Sequence, residues 1–66
     1  MGKAQDQIKA WVKHGGRKLS WLATQIPASP AQLSRWLNGG AVPIEIFRRR
    51  ISEITGLDVT KKGDWE

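Results

Sequence analysis

Arg35 and Gln32 stand three residues apart in the run Ser29-Pro-Ala-Gln-Leu-Ser-Arg-Trp-Leu-Asn38. An arginine offers a planar fork of donors, and a glutamine amide sets one donor beside one acceptor. Such groups match planar edges with two acceptors, or with an acceptor next to a donor. Guanine and adenine carry those edges, while small residues such as Ala31 suit the thymine methyl and Ser34 pairs with either kind of edge. This is the chemistry of recognition, not of bond-making. His14 is the single histidine and there is no cysteine, and no nucleophile stands with a histidine and an acid in the sequence, so the residues point to neither nucleophilic catalysis nor a metal site. A chain of 66 residues also leaves little room for a deep cleft with supporting shells. The expectation is a protein that is not an enzyme, with no metal, no cofactor and no small-molecule substrate.

Four helical segments are needed to position those side chains, and each is punctuated. Ala4, Ile8, Trp11 and Val12 form one stripe over about Ala4–His14, stopped by Gly15-Gly16. Leu19, Leu22, Ala23 and Ile26 mark a second helix over about Arg17–Ile26, ended by Pro27. In the third, Ser29 is a good N-cap, Pro30 fits the first helical position, and Gln32 completes a capping box. Asn38-Gly39-Gly40 closes it. The fourth runs from near Pro43 to about Thr55, with Ile44, Phe47, Ile51 and Ile54 as its stripe and Gly56 after it. No stretch alternates in the manner of a strand. The fold class is all-α, a compact four- to five-helix bundle in one domain over 1–66. Its ordered core is expected over about 4–59, with a tail at 60–66 that frays.

Only Pro27 and Ala28 separate the second and third segments. So short a link suits a steep crossing, the helix-turn-helix arrangement. With Leu33, Trp36 and Leu37 turned inward, Ala31, Arg35 and Asn38 point outward, flanked by Gln32 and Ser34.

Charge is segregated along the chain. The net charge is +5. Residues 7–44 hold Lys9, Lys13, Arg17, Lys18 and Arg35 with no acid, whereas five bases and five acids cancel in 45–66. A one-sided positive stretch attracts polyanions, nucleic acid first. No apolar run is long enough for a membrane span and the start lacks a signal-peptide core, so a cytoplasmic protein with no membrane partner is expected.

The run Leu19–Gly39 resembles the motif of lambda-repressor-like and Cro-like phage regulators, without a gap. It has apolar Leu22, Ala23, apolar Ile26, Leu33 and Trp36, then Asn38-Gly39. The later portion, with Trp36, Val42-Pro43, Thr55-Gly56 and Val59, is similar to the YdaS-type Cro-like small proteins. Counting the first helix, the resemblance covers most of residues 7–60. It implies a sequence-specific, double-stranded DNA-binding transcriptional regulator of the repressor type, reading the major groove with the helix that begins at Ser29. Two positions depart from the family. Pro27 stands where a glycine is usual, and Pro30 where relatives often carry a backbone-contacting glutamine.

On this reading Arg35, Gln32, Ala31 and Ser34 are the candidate base-readers, Arg35 touching either a guanine edge or a phosphate. Arg17, Lys18, Ser20, Thr24, Ser29 and Asn38 are candidates for the DNA backbone. Lys9 and Lys13 read as an ordinary wet helix face. Arg48-Arg49-Arg50 reads as a salt-bridged face, with Glu45 and Glu53 at pairing distance from Arg49. Trp21, Ile46 and Trp65 lie off the apolar stripes and form a candidate protein interface, as for a homodimer. The rival function is a protein-binding, antitoxin-like or inhibitor module that uses this surface on the same scaffold.

Overall fold

In the computed structural model, which describes residues 2–66, the apolar stripes become helices. The helix α1 (Lys3–Lys13) buries Ala4, Gln5 and Ile8, with Trp11 and Val12 half-buried on the next turn of the same face. It stops where Gly15 takes φ +106°, a value that side chains with a Cβ rarely adopt. Next, α2 (Leu19–Gln25) buries Leu22 and Ala23. It begins two residues later than the sequence suggests, because Arg17 and Lys18 stay outside the helix and Lys18 is the extended N-cap. Leu19, expected inside, is 37% exposed at this first turn.

The link from α2 to α3 (Pro30–Leu37) contains no left-handed residue. A proline at position 27 therefore costs no strain, and the turn closes by other means. The Ala28 amide donates back to the Ala23 carbonyl at 2.9 Å. The Arg50 side chain donates from Nε to the Gln25 carbonyl at 3.1 Å, capping one of the orphan acceptors at the end of α2. The start of α3 is the expected capping box. The Ser29 hydroxyl accepts from the Gln32 amide at 3.1 Å, and Gln32 Oε1 accepts from the Ser29 amide at 3.1 Å.

The last long helix, α4 (Glu45–Thr55), ends at Gly56 with φ +76°. Ile44 is its extended N-cap and is 61% exposed, so it does not share the stripe with Phe47, Ile51 and Ile54. The start is held by Arg48, whose Nη1 donates to the Pro43 carbonyl at 2.7 Å and whose Nε donates to the Thr60 carbonyl at 2.9 Å. Trp36 and Phe47 meet with ring centroids 5.3 Å apart, joining α3 to α4.

The tail does not fray. Residues Lys62–Trp65 form a 3-10 turn packed against α1, and Trp65 is 2% exposed. Its indole Nε1 donates to the Val59 carbonyl at 2.8 Å. Gln5, fully buried on α1, donates from Nε2 to the Trp65 carbonyl at 2.6 Å and to the Trp36 carbonyl at 3.3 Å. Gly2 completes the junction, since a methyl there would collide with the Asp64 carbonyl oxygen. Trp65 is thus a core residue and is withdrawn from the candidate protein interface.

The product is an all-helical globule with a Cα radius of gyration of 10.2 Å, close to the roughly 11 Å of a compact chain this long. Its core runs from Ile8 through Leu22, Ile26, Leu33 and Ile51 to Val59 and Trp65. No described helix is long and apolar enough to cross a membrane.

Candidate nucleic-acid interface

Leu33, Trp36 and Leu37 are buried on α3, and the 3.6-residue period then sends the remaining positions outward. Ala31, Gln32, Ser34, Arg35 and Asn38 are all exposed. The tail, which could have covered this edge, is packed against α1 instead. A helix with its side chains is about 10–12 Å across, and B-DNA's major groove, about 12 Å wide, admits one.

Of the five arginines, Arg35 is set apart by what it does not touch. Arg48 is bonded to two backbone carbonyls. Arg49 pairs with Glu45 at 2.8 Å, and Arg50 with Glu53 at 3.3 Å. Arg17 lies over the Trp21 ring at 5.1 Å from its centroid, a cation–π contact, and the half-buried indole packs against the core. Among the described residues the Arg35 guanidinium has no hydrogen bond or ion pair. All of its donors remain for an external acceptor.

The stem of that side chain is supported. The Gly40 amide donates to the Arg35 carbonyl at 2.9 Å, and the chain returns alongside α3. A methyl on Gly40 would stand 3.0 Å from Arg35 Cγ and 3.7 Å from its Nε. Gly39 needs to be glycine for its φ of +79°, but Gly40 has no positive φ. A side chain there would press on the Arg35 stem. The Gly-Gly doublet was visible in the sequence as a helix stop, and nothing local told the two roles apart.

The other proposed readers stand differently. Gln32 is exposed, but its Oε1 accepts from both the Ser29 amide and the Ser29 hydroxyl, which leaves the Nε2 donor for a ligand. A bidentate adenine contact uses both atoms, so it requires the capping box to open. Ser34 and Asn38 are linked, with Asn38 Nδ2 donating to Ser34 Oγ at 3.3 Å. Ala31 presents its methyl and the backbone amide next to a proline.

Among the candidate backbone contacts, Arg17, Lys18 and Ser20 are exposed around the first turn of α2, where no side chain caps the helix. The Thr24 hydroxyl donates to the Trp21 carbonyl at 2.6 Å, and the Ser29 hydroxyl is committed to its cap. No group of three or more potential metal ligands occurs among the described residues. The arrangement presents a supported, unpaired guanidinium on a polar helix edge, in a stretch of 38 residues from 7 to 44 that holds no acid. No family model matches the chain, and no curated protein or solved structure matches it.

Proposed function

We propose that the protein is a sequence-specific double-stranded DNA-binding regulator of the helix-turn-helix type, α2 and α3 forming the pair and α3 lying in the major groove. The observation that carries this reading is the unpaired Arg35 on the exposed polar edge of α3. An arginine left without an acceptor, in a molecule where Arg48, Arg49 and Arg50 each already hold one within the chain, is available for an external one. Guanine O6 and N7 match its donor fork. The absence of acids between 7 and 44 supports the same partner, since each carboxylate near a phosphate would repel it. Arg17, Lys18 and Ser20 supply contacts to the DNA backbone, and the protein regulates transcription from the site it occupies.

The test is selection of bound sequences from a random duplex pool, followed by titration of the selected site across a salt series. Arg35→Ala is expected to lose about 1–3 kcal/mol of specific binding and to relax the preference at one base pair, while Lys18→Ala weakens all sequences alike and flattens the salt slope by about one. Failure of the wild type to bind any duplex at low salt overturns the proposal. So does an Arg35→Ala variant that keeps full affinity and preference.

A further inference from the structure

Gln5 is the one polar residue buried among the described residues. Its amide nitrogen carries two hydrogens, and each has a carbonyl, Trp65 in the tail at 2.6 Å and Trp36 on α3 at 3.3 Å. Those partners lie 60 and 31 residues away in the chain. The other atom of the amide gains nothing, since Oε1 is buried and accepts from no described residue. A methionine would fill the same space without burying that acceptor. What the glutamine contributes is therefore its pair of donors.

The carbonyl that Gln5 takes on α3 belongs to the turn beside Arg35. The Trp36 carbonyl also accepts from the Gly39 amide at 3.2 Å, and the Arg35 carbonyl accepts from the Gly40 amide at 2.9 Å. This is the paired closure that ends a helix on a left-handed glycine, here Gly39 with φ +79°. Gly40 then lies along the arginine stem, where a Cβ would stand 3.0 Å from Arg35 Cγ. We infer that Gln5 is a positioning residue, which carries the placement of the tail to the last turn of α3 and so sets how Arg35 is presented. The bond to the tail is the shorter of the two, and Trp65 is itself fixed by its indole on the Val59 carbonyl. The tail is thus the anchor and the end of α3 is the part held. Gln5, being buried, touches no ligand and acts through Arg35.

The consequence for affinity rests on the DNA reading, whereas the hold on the turn does not, so the experiment has two arms. The first compares Gln5→Met with the wild type at a temperature where circular dichroism shows both folded. Its affinity for the selected duplex is expected to fall about fivefold, within the loss that removing a base contact causes, with binding to random duplex unchanged. In an Arg35→Ala background the change has no further effect. A merely structural amide would lower the melting temperature and leave the ratio of selected to random binding alone. The second arm contains no DNA. Hydrogen exchange at the Gly39 and Gly40 amides speeds up about fivefold in Gln5→Met, as for the loss of one hydrogen bond, relative to the Leu22 amide, which reports global opening. Where Gln5→Met does not fold, the wild type decides, because the Gln5 side-chain amide and the Gly39 amide then open together across a urea series. Unchanged exchange at Gly39 and Gly40 in folded Gln5→Met overturns the inference. So does a Gly39 amide that exchanges freely while the Gln5 side chain stays protected, or an equal loss on selected and random duplex. A wild type that binds no duplex overturns the DNA reading instead, and the exchange arm still decides whether Gln5 holds the turn.

Discussion

Arginines of identical chemistry have unlike fates in this chain, and their surroundings decide which. Arg48 and Arg50 each hold a backbone carbonyl across a chain reversal, so their charge serves the fold. Arg35 has no such carbonyl within reach and keeps its donors outward. A Cβ at position 40 would stand 3.0 Å from the Arg35 Cγ, so the arginine stem would have to give by a few tenths of an ångström. Gly40→Ala is expected to reduce specific DNA affinity several-fold while leaving the melting temperature close to wild type. In the Arg35→Ala background the same change should have almost no effect. A double-mutant cycle by fluorescence titration reads this coupling, and additive losses would show that Gly40 acts independently of Arg35.

At the scale of elements, α3 is the best-specified piece of the molecule. Ser29, Pro30 and Gln32 set its start through contacts no more than three residues apart, which is why its boundary was legible before any packing was known. Ser29→Ala removes the acceptor for the Gln32 amide and is expected to cost about 1 kcal/mol. In a domain of this size that lowers the melting temperature by roughly 4–8 °C, measurable by calorimetry. The start of α4 was not legible in the same way. Ile44 fits the apolar period of the helix, but Arg48 binds the Pro43 carbonyl and the Thr60 carbonyl, and that long-range clamp leaves Ile44 outside the helix and in solvent. The turn after α2 likewise closes without a left-handed residue, the Ala28 amide and Arg50 satisfying its carbonyls.

For the whole molecule, the decisive contact joins the two ends of the chain. Gln5 reaches the carbonyls of Trp36 and Trp65, and Trp65 fills the space beneath α1. A small domain has few such large buried groups, and its net stability is a small difference between large terms. Trp65→Ala is expected to cost about 3–5 kcal/mol, enough to leave much of the population unfolded at 37 °C. Loss of helical signal in parallel with loss of near-ultraviolet signal would confirm a global effect. Selective disordering of residues 60–66 with the helices intact would show that the tail is an accessory.

The sequence alone determined the four helices, their stops at glycine and proline, the capping box and the segregation of charge, because each of these depends on neighbours within about one turn. It also singled out Arg35, since the period of α3 fixes which side is inward once Leu33 and Trp36 are buried. Only the tertiary structure decided that Trp65 is core, that Gln5 is buried, that Gly40 flanks Arg35, and that Arg48–Arg50 are engaged. Those outcomes turn on contacts between residues far apart in the chain, where the partner is chosen by packing and by unsatisfied carbonyls, and no local pattern encodes that choice.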